Sequence, residues 1–562
     1  MKLDRHALNR DSTYLFVSTG LALGWLLPNH YAPWNTFHTN AWMGLGLMVM
    51  VIHGLRKQRF EVVLSWPTLL AAAVVAVPIL QYGLGLIALS SQATISVLYL
   101  AGFALAFAMG DSWARISPSD PVGLVLGAAV VAGIASVGLQ LYQWFGWAMD
   151  PDIGDFWIFP FVDTGRPYAN LGQPNQLASL MLWSLCGIFW LHDKKWIARG
   201  WVALLAAAFL LLGVALTESR TALLTLSFFT GWYLLFGQKR LAANLKWPLI
   251  GLYLGYLTAL WALPLAGQAL DLNIASSLIQ RSAGEVRLSL WEMALSASLH
   301  RPMLGFGWGL THAGLLAVYP DFQQFAGSFA KQSHNIVLDL VLWAGWPTAM
   351  VITAMCAIWF LRVAKRARTP AELVVIAALF VMLVHAMLEL PLHYGYFLWP
   401  TGLLAGVASA TGGWRKIGRL PFKGAMSLCC ALLLTSAVVV SDYFKIEAAF
   451  TQLRFHLQRI GISDEPMVAD TLVLTDWPAF IEMSRTVPKA GMSGETIQQW
   501  HDLFIFNPSA LPFRKYIGAL VVNGRLEEAQ YWEARACFIL AKPKCENMIQ
   551  EWANIEDDIA KR

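Results

Sequence analysis

The stretch VGLVLGAAVVAGIASVGLQL, residues 122–141, runs for twenty residues without a charge. A helix of that length covers about 30 Å, the thickness of a bilayer's hydrocarbon core. The run is too long and too continuously apolar for a barrel strand, so it reads as a spanning helix. It belongs to a run extending over 122–148, and the pattern recurs near 12–28, 38–54, 64–82, 92–110, 172–191, 200–217, 221–236, 247–266, 335–361, 371–390, 396–411 and 424–441. That makes thirteen candidate spans, of which 38–54, 221–236 and 396–411 are short. Composition agrees. Of 562 residues 57% are hydrophobic and 13% charged, with a mean hydropathy of +0.52, whereas a soluble domain carries roughly 25% charged residues. A wholly soluble enzyme is therefore excluded. Six cysteines and 26 tryptophans exclude a disulfide scaffold and a disordered chain. The expected fold class is an all-α polytopic membrane protein.

Charge alternates from loop to loop as thirteen spans require. One set of loops, from Lys2 to Lys423, holds 21 basic residues, while the opposite set holds Arg166, Arg220, Arg281, Arg287, Arg301 and Lys331. The positive-inside rule then places the N-terminus in the cytoplasm and the C-terminal tail outside. The first run lacks a small-residue cleavage site and reads as a retained span. Residues 1–441 form the expected transmembrane domain, with a large external loop over 267–333. Residues 442–562 form a polar tail with 13 basic and 17 acidic residues. Its segment Val522-Asn523-Gly524-Arg525-Leu526-Glu527-Glu528-Ala529 resembles the turn of a tetratricopeptide-type helical pair, a generic small helical domain being the alternative. Cys537 and Cys545 lie in this tail, where oxidation is permitted, and either a disulfide or two thiols fits the sequence.

The span interiors hold almost no ionisable groups: His385 lies deep, and Asp339 sits about one turn from a span end. Such groups cost several kcal/mol in hydrocarbon and mark transport pathways. The chemically capable residues gather instead in external segments, which points to a reaction at the outer surface on a lipid-linked substrate. Four segments carry it. In the first, Arg166-Pro167-Tyr168-Ala169-Asn170-Leu171-Gly172-Gln173-Pro174-Asn175-Gln176, amides and a phenol suit hydrogen bonding to sugar hydroxyls; a capped helix start with Pro in its first turn is the local alternative. The second, Thr217-Glu218-Ser219-Arg220-Thr221, sets an Arg at a membrane-embedded turn. Pairing with Glu218 is the structural option, and bidentate contact with a phosphate the functional one.

The third segment begins with a capping box, Ser282-Ala283-Gly284-Glu285, that opens a largely apolar helix running from Val286 towards a stop at Arg301-Pro302 and the glycine-rich Gly305-Phe306-Gly307-Trp308-Gly309. Such a helix suits the membrane interface, and Arg287 then lies near headgroup depth as a second phosphate ligand or a plain surface charge. The fourth, Ser333-His334-Asn335-Ile336-Val337-Leu338-Asp339, puts a His at a span mouth, where it can exchange protons with water while facing an apolar site. Glu389, His393 and Tyr394 in a further external turn complete the candidate set. The sequence carries no metal-ligand spacing, Asp150, Asp152 and Asp155 reading as a solvated loop, and no phosphate-binding glycine loop. No metal, nucleotide or other cofactor is expected, and no nucleic-acid partner.

Taken together, Gly172-Gln173-Pro174-Asn175-Gln176, Glu218-Ser219-Arg220-Thr221-Ala222-Leu223, Arg287 through Gly307 and His334-Asn335 resemble the bacterial O-antigen ligase and protein O-oligosaccharyltransferase superfamily. The long loop before His334 and the polar tail look most like the pilin-type protein O-oligosaccharyltransferases. The resemblance implies metal- and ATP-independent transfer of a glycan from undecaprenyl diphosphate on the periplasmic side of the inner membrane. It implies Arg220 and Arg287 as ligands of the donor diphosphate and His334 as the group that assists the acceptor hydroxyl. Tyr168, Gln173, Asn175, Gln176, Glu389, His393 and Tyr394 are the accompanying candidates for binding donor or acceptor. One departure is Trp343-Ala344-Gly345, where many lipid A-core ligases carry an acidic residue before the glycine. The expected partners are the lipid-linked oligosaccharide, a pilin-like or other periplasmic acceptor protein, and membrane lipids. The alternatives are a ligase to lipid A-core or a polymerase, and, from other classes, a lipid-glycan flippase or a non-catalytic scaffold. A flippase predicts inverted repeats and polar midplane residues; the sequence displays no evident repeat and few such residues.

Overall fold

The computed structural model describes residues 5–58, 61–147, 157–159, 165–237, 245–272, 287–461, 467–540 and 544–548. It is overwhelmingly helical. The chain opens with α1 (Arg5–Leu26) and α2 (Phe37–Gln58), a strand β1 (Val62–Ser65), and the short α3 (Trp66–Val74) and α4 (Ala76–Gly83). Long helices follow: α5 (Ser90–Ala114), α6 (Ser119–Trp144), α7 (Pro174–Asp193), α8 (Gly200–Leu216), α9 (Arg220–Leu235) and α10 (Lys246–Ala269). The long loop before His334 contributes α11 (Arg287–Ser298) and α12 (Thr311–Val318). After it come α13 (Ile336–Arg366), α14 (Pro370–Ala386), α15 (Gly395–Thr411), strand β2 (Lys416–Leu420) and α16 (Phe422–Leu457). The tail holds α17 (Asp476–Arg485), α18 (Gly494–Phe506), α19 (Ala510–Val522), α20 (Leu526–Glu533) and α21 (Ala536–Ile539).

Helix occupies every one of the thirteen apolar runs, and six described stretches are long and apolar enough to cross a bilayer: Trp66–Gly83, Ser90–Ala114, Ser119–Trp144, Lys246–Ala269, Ile336–Arg366 and Phe422–Leu457. The protein is thus an all-α membrane protein. Three details differ from the sequence reading. The run 64–82 is broken after Val74, and the run 335–361 kinks at Gly345 (φ 77°, ψ 165°), a conformation open to glycine alone. The last run does not stop at 441 but continues as one helix to Leu457. An antiparallel ribbon also appears, β1 against β2, pairing Val62 with Leu420 and Val63 with Arg419. Strand β1 overlaps the start of the run read as 64–82 and β2 lies between two runs; Val62, Val63 and Ile417 supply the β-branched residues that suit the ribbon.

Contacts divide the chain into two units. The first comprises 1–73, 99–285 and 355–433. In it α6 packs on α1 and α7, α7 on α8 and α14, and α15 on α2 and α14. Its core is one large cluster that includes Trp25, Met181, Trp183 and Phe397. Small residues bring helices close: a Cβ on Gly110 of α5 would lie 2.1 Å from the Leu403 carbonyl of α15, and one on Gly406 would lie 2.0 Å from that of Phe107. The second unit comprises 74–98, 286–354 and 434–562, so the loop before His334 and the tail belong together. Its tail helices α19 and α20 are joined by Asn523-Gly524-Arg525, with Gly524 at φ +72°. Cys537 and Cys545 form a disulfide. The proposed capping box 282–285 and the acidic triplet Asp150, Asp152 and Asp155 lie outside the described residues.

Candidate active site

In the first unit, the segment 165–176 is built around two buried amides. Gln143 of α6 accepts the N–H groups of Tyr168 (3.1 Å) and Ala169 (2.8 Å) and donates to the Ala169 carbonyl. Asn170 donates to the carbonyls of Leu26 and Trp157. These bonds fix Ala169 at φ +50° and hand the chain through left-handed Gly172 to the start of α7. There Gln173 is the N-cap, its side-chain oxygen taking the Gln176 N–H at 2.7 Å, and Pro174 fills the first helical position. The local alternative of a capped helix start therefore holds for Gln173, an arrangement that stabilises a helix by about 1 kcal/mol. Tyr168 is buried, its ring 5.7 Å from that of Phe159.

One face of α7 carries a ladder of polar contacts. Asn175 donates to the Glu389 carboxylate at 3.0 Å, and the Tyr396 hydroxyl donates to the Gln176 side-chain oxygen in a short bond. Ser179 meets His385 Nδ1 at 2.7 Å, and the Trp183 indole donates to the Ala378 carbonyl at 2.8 Å. The rungs at 175/176, 179 and 183 follow the helical repeat, and they meet α14, the turn after it and the start of α15. Arg166 joins the top of this ladder, donating to the Thr217 carbonyl at 2.9 Å and to Asn175. Tyr394 completes it, stacked on Tyr396 with centroids 5.3 Å apart, while His393 ends the 3-10 turn Pro391–His393. Asn175, Gln176, Glu389 and Tyr394 are thus brought together as one group.

Beyond Thr217 the chain turns through Glu218, at φ +45°, to Ser219, whose hydroxyl caps α9 by accepting the Ala222 N–H. Arg220 is the first residue of α9 and half-buried. A cation at a helix N-terminus is electrostatically unfavourable by itself; the same position favours an anion.

The second unit joins two more candidates. Helix α11 starts its described course at Arg287, buries Leu290, Met293, Ala294 and Ala297, and leaves Leu288 and Leu295 exposed. Trp291, one turn from Arg287 on the same face, donates its indole N–H to the Ser333 carbonyl at 3.1 Å. The helix of Arg287 is thereby tied to the residue before His334. His334 is half-buried and left-handed, φ +56°, between buried Ser333 and Asn335. Asn335 accepts the N–H groups of Val337 and Leu338 and so starts α13. A left-handed non-glycine residue costs on the order of 1–3 kcal/mol and persists only where its surroundings over-determine it. Six described non-glycine residues have positive φ, and Ala169, Glu218 and His334 are three of them, one in each of three candidate segments.

Sequence reasoning missed several contributors. Gln81 of α4 donates to the carbonyls of Leu304 and Trp343 and accepts the Trp308 N–H, clamping the glycine-rich loop against the kink of α13. Nothing in its apolar run marks it. Tyr396 was hidden because it lies inside a span, two residues beyond Tyr394. The tail grips the loop as well: His312 bonds the Ile505 carbonyl (2.7 Å), and Arg535 donates to Leu316 and Ala317. Phe538 lies between Tyr319 and Phe329, with centroids 4.9 and 5.0 Å away. Burial, together with nearby Lys331, lowers the pKa of His312 to about 4 although the Ile505 carbonyl favours its charged form.

Known families match the segments that hold these residues. Residues 203–353 match the O-antigen ligase family, 167–192 a protein glycosylation ligase, and 373–545 the C-terminal part of a virulence factor membrane-bound polymerase. Every candidate residue falls inside one of those segments. The resemblance to the O-antigen ligase and protein O-oligosaccharyltransferase superfamily stands, and the chain is a multi-pass membrane enzyme, an oligosaccharyltransferase acting in O-glycan transfer. It is 26% identical over 540 residues to a general O-oligosaccharyltransferase of Acinetobacter baylyi, covering 93% of this chain and 92% of that one. It is also 28% identical over 259 residues to the ComP-specific O-oligosaccharyltransferase of the same organism, covering 46% of each.

Proposed function

We propose that the protein transfers a glycan en bloc from undecaprenyl diphosphate to a Ser or Thr hydroxyl of a periplasmic protein such as a pilin. In this reading thirteen helices cross the inner membrane with the N-terminus in the cytoplasm, the site faces the periplasm, and residues 442–562 form an external helical tail. Arg220 and Arg287 hold the diphosphate, and Tyr168, Gln173, Asn175, Gln176, Glu389, His393 and Tyr394 bind or orient the sugar and acceptor. The single observation that carries the reading is His334: an imidazole presented from a left-handed turn, tied through Ser333 and Trp291 to the helix of Arg287.

The chemistry balances without ATP or metal. The acceptor oxygen attacks the anomeric carbon as the bond from that carbon to the diphosphate oxygen breaks. His334 accepts the hydroxyl proton, and the diphosphate departs with its growing charge met by guanidinium groups. In-line attack inverts the anomeric centre. A product that retains the donor's configuration contradicts this. A second reading keeps the chemistry and changes the acceptor to lipid A-core or a growing glycan; the matches at 203–353 and 373–545 to ligase and polymerase families favour considering it.

The test supplies purified full-length protein with an undecaprenyl-diphosphate glycan, a pilin-type protein and lipid A-core, with chelator and no nucleotide. Intact-mass analysis then scores each acceptor. A glycan-mass gain on the protein alone supports the proposal, and a gain on the lipid alone replaces it with the ligase. No gain on either, with folded protein, overturns both.

A further inference from the structure

Asp339 lies one turn into α13 and is fully buried, a costly place for a carboxylate unless hydrogen bonds compensate. Its Oδ1 accepts two of them: the backbone N–H of Ser333 at 2.9 Å and the hydroxyl of Thr311 at 2.9 Å. The Thr311 hydroxyl in turn accepts the indole N–H of Trp343 at 2.8 Å. Asp339 and Trp343 are four residues apart on α13, so both reach Thr311 from one helix face. Bonds chained in this way polarise and strengthen one another in a low-dielectric interior.

The consequence falls on Ser333. Its N–H goes to Asp339, its C=O receives Trp291, and its hydroxyl donates to the Asn335 carbonyl at 2.9 Å, spanning His334. Backbone and side-chain bonds thus hold the residues on both sides of a turn that a histidine adopts only at a cost. Of these anchors, Asp339 alone brings an ionisable group, and it connects the turn to two further elements, the Thr311 start of α12 and the body of α13.

We propose that Asp339 is the positioning residue of the His334 turn: through Ser333 N–H and Thr311 it fixes the left-handed backbone that aims the imidazole, without itself touching substrate. The inference rests on the role proposed above for His334. A displacement of about 1 Å at a reacting group costs about 100-fold in rate. Replacing Asp339 therefore lowers turnover while leaving donor affinity in place.

The experiment compares wild type, Asp339→Ala, Asp339→Asn, Trp291→Phe and His334→Ala as full-length protein, with an undecaprenyl-diphosphate glycan as donor. It measures kcat, KM for that donor and the thermal midpoint. Asn keeps a side-chain oxygen that accepts the same two bonds; Ala does not. The expected result is a fall in kcat of about 100-fold for Ala and within about fivefold for Asn, with KM for the donor changed less than about threefold. Trp291→Phe, which removes the indole donor but keeps an aromatic ring, is expected to lower kcat about tenfold at unchanged KM, and it serves where the Ala variant fails to fold. An Ala variant with wild-type kcat overturns the proposal. So do equal losses in Ala and Asn, or losses in KM and thermal midpoint without the kcat split, either of which marks a merely structural carboxylate. Full activity in His334→Ala overturns the role of His334 instead, whatever Asp339 does.

Discussion

The two units hold their chemically capable residues by different means. Along α7, in the first, side chains meet side chains: Asn175 on Glu389, Gln176 on Tyr396, Ser179 on His385. Around His334, in the second, side chains meet backbone: Asp339 on Ser333, Trp291 on Ser333, Asn335 on the first turn of α13. A ladder spreads its load over several rungs along one face of α7, so each rung is individually modest. A strained turn clasped at several backbone atoms concentrates it. The loop that leads to His334 is further gripped by the tail, through Arg535, Phe538 and the Ile505 carbonyl. A residue needing accuracy at one atom fits the second kind of support; a face that grips a bulky glycan or acceptor fits the first.

Substitutions and pH can break that contrast. The largest effect belongs to the arginines: Arg220→Ala and Arg287→Ala are each expected to lower transfer by about 100- to 1,000-fold, as loss of a preorganised charge does. Lys is expected to restore only part, because it lacks the planar fork. Next is acid. His312 has a folded pKa near 4, below its ordinary value of 6.5, so the folded state binds its proton less readily than the unfolded state. Its contribution is complete above pH 6.5 and is lost as pH falls from there towards 4, by about 3 kcal/mol in all. Thermal midpoints between pH 7 and pH 4 are expected to drop, and His312→Gln to flatten the slope. An equal slope in both proteins contradicts the assignment.

Opening the Cys537–Cys545 bridge with two Ser substitutions is expected to cost about 2 kcal/mol for a loop this short and to loosen the Phe538 clasp. Amide exchange over residues 319–333 measures it; unchanged protection there separates the tail from the loop. The smallest effect is a single rung: Ser179→Ala is expected to cost about 1 kcal/mol and to leave transfer within about threefold. A loss comparable to that of the arginines would reverse the contrast between the two units.

Much of this was legible in the sequence because membrane helices announce themselves by length and continuous hydropathy. The helices Ser119–Trp144 and Lys246–Ala269 needed nothing else. Interruptions were less visible: Gly345 sits in an apolar run, and its φ of 77° together with the approach of the Met303 backbone to where a Cβ would be shows why a glycine stands there. The polar motifs were legible as residue types in external segments, but their pairings were not. Glu389 meets Asn175 across 214 positions, and Tyr396 meets Gln176 across 220. Gln173 read equally as a sugar ligand or as part of a capped helix start, since a side-chain amide does not declare which role it serves, and the structure shows the cap. Nor was Asp339 read as more than a charge near a span end, because its partners Thr311 and Ser333 are close to it only after the loop folds back.

The central claim is that the imidazole of His334, rather than the shape of its turn, performs the proton transfer. Glycine separates the two, since it adopts φ +56° without strain and lacks the imidazole. We would measure the single-turnover rate of glycan transfer to a pilin-type protein for His334→Gly beside wild type, with the thermal midpoint of each. The account predicts an unchanged or higher midpoint and a rate lower by at least about 100-fold, within the range a general base supplies. A glycine variant that transfers glycan within about threefold of the wild-type rate would contradict it.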